Sequence, residues 1–173
     1  MRSFACFAML LAACSLNLND SSVGFDIPYD IPAQTVPGNA TANAAGVSVD
    51  ATLPSFPIDI DVEKEAQANG VSGVISTVTL TSLSLSTTDG SCFDFVQSIS
   101  ISISSTKAGS SLPPAVVATG SNPGCVQTFD LQTTSVNLKP YFDEGAQATP
   151  TVSGVPPASD VAFDGHLVAH AGI

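Results

Sequence analysis

Phe93, Phe95, Ile99, Ile101 and Ile103 all fall at odd positions within residues 92–104, and Asp94, Ser98, Ser100, Ser102 and Ser104 fall between them. A period of two puts the large apolar side chains on one face of an extended chain and the polar ones on the other. A helix would smear the same residues around its axis. The stretch therefore predicts a long β-strand with one face in a core and one in water, the pattern of an antiparallel sheet. Whatever else the chain does, it must pack around this line.

The flanking sequence is of the same kind. Residues 71–86 carry Val74, Val78 and Leu80 on one parity and Leu83 and Leu85 on the other, so a bulge or bend is expected near Thr81-Ser82. Asp89-Gly90 follows, which predicts a hairpin between this strand and the next. Shorter strands are expected at 47–50, 56–63, 116–118, 128–131, 135–138, 149–155 and 161–169, each near a turn signal. Asp-Ile-Pro occurs twice, at 26–28 and 30–32. Because proline withholds a backbone donor, that segment is confined to an edge strand or a solvated extended stretch. Residues 33–45 read as loop. Residues 63–70 offer one or two helical turns ending at Asn69-Gly70, and 139–145 a further turn.

About eight short strands with Gly, Pro, Asn and Asp turns, and no long helical period, predict an all-β chain. The expected architecture is a single antiparallel β-sandwich with a jelly-roll or immunoglobulin-like strand order. A closed β-barrel is the alternative. A transmembrane barrel is disfavoured by the lack of aromatic girdles.

The first residues are set apart. Met1-Arg2-Ser3 precedes an apolar run from Phe4 to Ala13, which ends in Leu11-Ala12-Ala13-Cys14. The run is too short for a permanent membrane span. A large aliphatic residue and two small ones directly before a cysteine resemble the signal peptide and lipobox of bacterial lipoproteins. That resemblance implies cleavage before Cys14, a diacylglyceryl thioether on its sulfur, and palmitate-type acylation of its amino group. Ser15, where an aspartate would signal otherwise, implies the Gram-negative outer membrane, with the protein facing the periplasm or the cell surface. The resemblance covers residues 1–15 alone. The division it suggests is a leader at 1–13, a lipidated tether at 14–22 and a folded domain at 23–173.

From Cys14 onward the chain has three lysines, no arginine and fifteen carboxylates, a net charge of −12. Nucleic acid is excluded as a partner on this balance, since phosphate contacts run on Lys and Arg. The absence of arginine also removes the usual bidentate donor for phosphate and carboxylate ligands. Cys6 lies in the leader and Cys14 in the lipobox, which leaves Cys92 and Cys125. Two cysteines in an exported domain most simply form a disulfide. Two buried free thiols are the alternative, and the lack of a Cys-x-x-Cys weighs against a metal pair.

Little else suggests chemistry. Asp164, His166 and His170 would share one face of a strand, but His166 and His170 would stand about 13 Å apart, too far for one metal. Asp59, Asp61 and Glu63 alternate with Ile58, Ile60 and Val62, and three carboxylates on one strand face are weak candidates for Ca²⁺. The same pattern also serves as a solvated acidic face that discourages edge pairing. Gly70-Val71-Ser72-Gly73 is one residue short of a hydrolase elbow, and phosphate-loop and dinucleotide fingerprints are absent. With no Trp and only Tyr29 and Tyr141 as tyrosines, a sugar-stacking platform is not expected. No catalytic residue, metal or cofactor is therefore assigned. The expected function is a non-catalytic binding or structural domain that is held at the membrane through Cys14 and docks another envelope protein or a second copy of itself. Alternatives are a carrier of an apolar ligand between the sheets and an envelope hydrolase.

Overall fold

The computed structural model describes residues 24–173; Cys14, the lipobox and the tether lie outside the described residues. In chain order the elements are β1 (Gly24–Val36), α1 (Ala40–Ala45), β2 (Val49–Thr52), β3 (Phe56–Ile58) and α2 (Val62–Ala68). They continue with β4 (Thr77–Thr87), β5 (Val96–Ser105), β6 (Ala115–Ser121), β7 (Thr128–Asp130) and β8 (Gln132–Thr133). The last are α3 (Lys139–Glu144), β9 (Ala146–Gly154) and β10 (Val161–Gly172). The strands form two sheets, one in the order β1-β10-β4-β7 and the other in the order β2-β9-β5-β6-β8, with β3 also on β9. All pairings are antiparallel and neither sheet closes on itself. The molecule is an open β-sandwich, not a barrel.

The strand pairs are nested. β1 pairs β10, β2 pairs β9, β4 pairs β7 and β5 pairs β6. A long antiparallel hairpin rolled across two sheets gives this order, which is the jelly-roll winding. It also corrects the expected hairpin between the two longest strands. β4 and β5 lie in opposite sheets, and the Asp89-Gly90 turn carries the chain across the sandwich. A turn dipeptide specifies a local reversal, not which sheet the next strand joins. Here Asp89 accepts from the backbone N–H of Ser91 at 2.9 Å and from that of Ala162 at 3.3 Å, which ties the crossover to the start of β10.

The opening pattern holds as burial but only partly as strand. Ile99, Ile101 and Ile103 are almost wholly buried, between polar positions on the outer face. Phe93 and Phe95 are equally buried, yet they precede β5 in a turn closed by Val96 N–H to Phe93 O at 3.0 Å. Alternation fails at Val96, which is buried beside Phe95, and the register slips between Val96 and Ser98. Phe93 sits against Phe95, Phe129 and Phe163, with ring centroids 6.2, 6.2 and 6.3 Å away, so an aromatic cluster plugs this end of the sandwich.

The phase change in β4 is a bulge. Leu80 faces Ala169 and Ser82 faces Val168, which leaves Thr81 unpaired, its hydroxyl donating to Val168 O at 2.9 Å. The bulge lets Val78, Leu80, Leu83 and Leu85 all face the core. β1 is an edge strand, as Pro28 and Pro32 require, pairing β10 alone and breaking register between Ile31 and Gln34. Three other expectations change. The segment read as loop over 33–45 holds the end of β1 and the helix α1, capped by the Asn39 side chain at one end and by left-handed Gly46 at the other. Strand β4 begins only at Thr77, and Val74 is exposed. Residues 135–138 form no strand, because Asn137 Oδ1 takes the Val78 N–H at 3.0 Å and the Lys139 N–H at 3.1 Å instead.

Gly154 shows how closely β9 approaches the start of β5, its neighbour in the same sheet, at the crossover end. A Cβ there would collide with Phe95 O and lie 3.0 Å from Gln97 N. Gly154→Ala must push backbone, not a flexible side chain. It should cost about 1–3 kcal/mol as an overpacking change, read as a fall in urea midpoint at unchanged m.

Candidate functional site

The positions singled out in the sequence do not converge. Asp59, Asp61 and Glu63 do not share a strand face, since β3 ends at Ile58 and the chain turns into α2. Asp61 caps that helix by accepting Lys64 N–H at 2.9 Å, as an aspartate before a run of helix formers does. Capping won over alternation. The acids do rim a recess with Asp143, but its cation is the chain's own: Lys139 Nζ lies 3.2 Å from Glu63 and 2.7 Å from Asp143. The Asp143 hydrogen bond chiefly raises the lysine's pKa. Among the described residues no group of three or more His, Cys, Asp or Glu is placed to hold a metal ion.

His166 and His170 stay apart, each paired to its own aspartate. His166 Nδ1 lies 2.7 Å from Asp30 Oδ1 and His170 Nδ1 2.8 Å from Asp26 Oδ1. The register places Asp30 opposite His166 and Asp26 opposite His170, so the two pairs are rungs between β1 and the strand beside it. The signal was present in the sequence: two aspartates four apart and two histidines four apart, matched in an antiparallel pair. Ser84 lies opposite His166 on the other side, completing an Asp30–His166–Ser84 row across three strands. No Ser84–His166 hydrogen bond forms, and His166 is half exposed on an open sheet face. The row is a polar lattice that fastens the edge strand.

Cys92 and Cys125 are disulfide-bonded, with Cα atoms 4.8 Å apart. The bridge joins the β4–β5 crossover to the β6–β7 crossover. Phe93 N–H donates to Val126 O at 2.9 Å beside it. The interior between the sheets is full. The void there measures about 20 Å³ and is lined wholly by apolar groups such as Ile101, Ile103 and Leu167. That is room for about one water. No polar or charged side chain is buried among the described residues.

Two further concavities lie side by side at the crossover end, outside the core. An apolar slot of about 230 Å³ opens between the sheet margins, lined by Val36, Val49, Ala51, Phe95, Val152 and Val155. Val36 at the end of β1 and Val49 and Ala51 of β2 bring residues of both sheets into its wall. Gly38 N–H to Asp160 at 2.8 Å, Asn39 N–H to Pro157 O at 2.8 Å and Asn43 Nδ2 to Pro156 O at 2.9 Å hold its rim. Next to it, sharing Phe95 and Val155, is a polar cleft of about 480 Å³ that includes Ser91, Asp94 and Ser159. Asp89, at the same end, has its carboxyl held below the usual range, chiefly by the backbone N–H of Ser91.

No known family and no curated protein matches this chain. Three solved virus structures resemble it weakly. Mud crab tombus-like virus is 8% identical, over 100% of this chain and 91% of that one, with a TM-score of 0.31. The Macrobrachium rosenbergii nodavirus particle is 10% identical over 100% and 94%, with a TM-score of 0.30. Desmodium yellow mottle tymovirus is 12% identical over 87% and 89%, with a TM-score of 0.26. Overlap this low says nothing of what the chain does.

The slot was missed by sequence reading. Its walls come from four separate segments, and Val49, Ala51 and Val152 carry no mark that distinguishes them from core. The one local hint was Val47 and Val49 in a segment too short to bury them; they are 51% and 39% exposed.

Proposed function

We propose that this is an exported, lipid-anchored β-sandwich that acts by binding at its surface, not by catalysis. The observation that carries the reading is the filled interior: with about 20 Å³ between the sheets there is no place for a carried ligand, and action falls to the outer surface. The Cys92–Cys125 bridge agrees with an oxidising compartment. The lipobox at residues 11–14 supplies the anchor, and its acyl chains, at about 0.8 kcal/mol per buried methylene, would hold the domain at a membrane for good. The outer membrane of a Gram-negative envelope is the expected location. A hydrolase is the weaker reading. His166 and His170 are each tied to an aspartate on an open face, and no nucleophile among the described residues hydrogen-bonds to them.

Cys14→Ser should abolish incorporation of labelled palmitate and leave an uncleaved precursor in cells that process lipoproteins. The parent, crosslinked in intact membranes, should capture an envelope partner and should be silent in esterase, peptidase, phosphatase and glycosidase assays. Acylation of the variant would remove the anchor from the proposal. Turnover lost on His166→Ala would replace binding with catalysis.

A further inference from the structure

The two clefts at the crossover end sit beside a free sheet edge, and together these features specify an occupant. Among the described residues, β2 pairs β9 on one side and nothing on the other. Leu53 N–H donates to Pro150 O at 2.9 Å, so by strand alternation the backbone groups of Ala51 and Val49 also turn toward β9. Those of Asp50 and Thr52 then face outward, open to an added strand. Pro54 and Pro57 end the usable edge, which limits it to a short segment. The slot lies directly under this edge, since Val49 and Ala51 form part of its wall.

Size decides the kind of ligand. An apolar cavity of about 150 Å³ already takes a benzene ring, whereas sites for cofactor-sized molecules run from about 300 Å³ upward. A slot of about 230 Å³ suits one large aliphatic or aromatic side chain.

Charge decides the rest. All three lysines sit at the opposite end of the sandwich: Lys64 in α2, Lys139 in α3, and Lys107 bound to Glu144 of α3 at 3.3 Å. Strand β9 runs from that end, where Ala146 faces Ser105, to the slot end, where Gly154 faces Val96. That is a separation of roughly 27 Å at about 3.4 Å per residue, well beyond a Debye length in physiological salt. At the slot end lie Asp50, Asp89, Asp94 and Asp160, and among the described residues no Lys, Arg or His lines either cleft. Asp89 and Asp160 are committed to backbone N–H groups, whereas Asp50 on the edge strand and Asp94 in the polar cleft are exposed. A second copy of this chain is a poor occupant, because edge-to-edge pairing would bring two Asp50 carboxylates and two acidic ends together.

We infer that the β2 edge and its slot form a docking site for an extended, positively charged segment of a partner protein. The segment adds a short strand to Asp50–Thr52, seats one large apolar side chain in the slot, and lays a neighbouring Lys or Arg in the cleft toward Asp94. Main-chain hydrogen bonds supply affinity and the slot supplies selectivity, as in strand addition generally. This rests on the reading of the domain as a binding module and assigns that module its face.

The test uses a random heptapeptide library displayed on phage, selected on the purified protein, with the enriched peptides then synthesised. Peptides with one Phe, Leu, Ile or Met flanked by Lys or Arg should enrich. They should shift the amide resonances of residues 49–52, 95 and 152–155. Ala51→Phe, which fills the slot, and Asp50→Lys/Asp94→Lys, which reverses its charge, should each weaken binding at least tenfold while both variants melt with the parent. Failure of such peptides to enrich, or binding that neither variant affects, overturns the site. A concentration-dependent dimer abolished by Ala51→Phe overturns it too, in favour of a second copy. An envelope partner captured equally by the parent and both variants would sink the slot and leave the module reading standing.

Discussion

Ile101→Ala should remove about 2–5 kcal/mol of stability, the range for a large-to-small change in a packed core. Domains of this size carry about 5–15 kcal/mol in all, so one side chain accounts for a large share. Ile101 is 3% exposed and sits in the middle of β5, facing Pro150 on one side and Ala118 on the other. It also walls the small interior void, so truncation enlarges a space too apolar to fill with water. The neighbours Pro150 and Ala118 are short and stiff and cannot swing in to close the gap. Ser100→Ala, one residue away on the outer face, should stay within about 0.5 kcal/mol. Urea denaturation of the two variants checks this, with the midpoints compared at equal m. A costly serine and a cheap isoleucine would turn the strand over.

That contrast was legible because burial follows parity, and parity is a local property. The same holds for the bulge at Thr81, where Leu80 and Leu83 switch phase within four residues, and for the edge position of β1, which its prolines dictate. Strand limits were less legible. Phe93 and Phe95 kept the period while leaving the strand, because a turn can also bury every second side chain if an aromatic cluster receives them. Asp59, Asp61 and Glu63 read as a strand face for the same reason, until the Asp61 side chain found the Lys64 N–H and started a helix.

Partnership between distant segments is the harder part. Asp89-Gly90 looks the same in a hairpin and in a crossover, and the choice between them was made by β10 and β9 arriving later in the chain. The Asp26–His170 and Asp30–His166 rungs needed the pairing of the first strand with the last, some 140 residues on. The slot is a further step removed, since it is a place where two sheet margins fail to cover each other. Nested jelly-roll pairing makes nearly every functional surface non-local, which is why fold class was readable and the docking face was not.

The bridge between Cys92 and Cys125 should be worth nearly as much as the core. Its ends are 33 residues apart in sequence, and closing a loop of that length removes about 3–4 kcal/mol of unfolded-state entropy in the chain-entropy model. The loop contains all of β5 and β6, and both its ends lie in crossovers between the sheets. In the folded protein those crossovers already run side by side: Thr87 N–H donates to Gln127 O at 2.9 Å and Gln127 Nε2 to Gly90 O at 3.1 Å. Removing the bridge therefore leaves local contacts that can hold the fold, and the loss should appear mainly in the unfolded chain. Cys92→Ala/Cys125→Ala should lower the urea midpoint by that amount and raise m, because an unbridged chain exposes more surface when it unfolds. The parent, unfolded without reductant, should offer neither cysteine to a thiol reagent. Labelling of both would remove the bridge from the structure. A double variant as stable as the parent would mean that the hydrogen bonds between the crossovers, not the sulfurs, join the two sheets at the end where the slot opens.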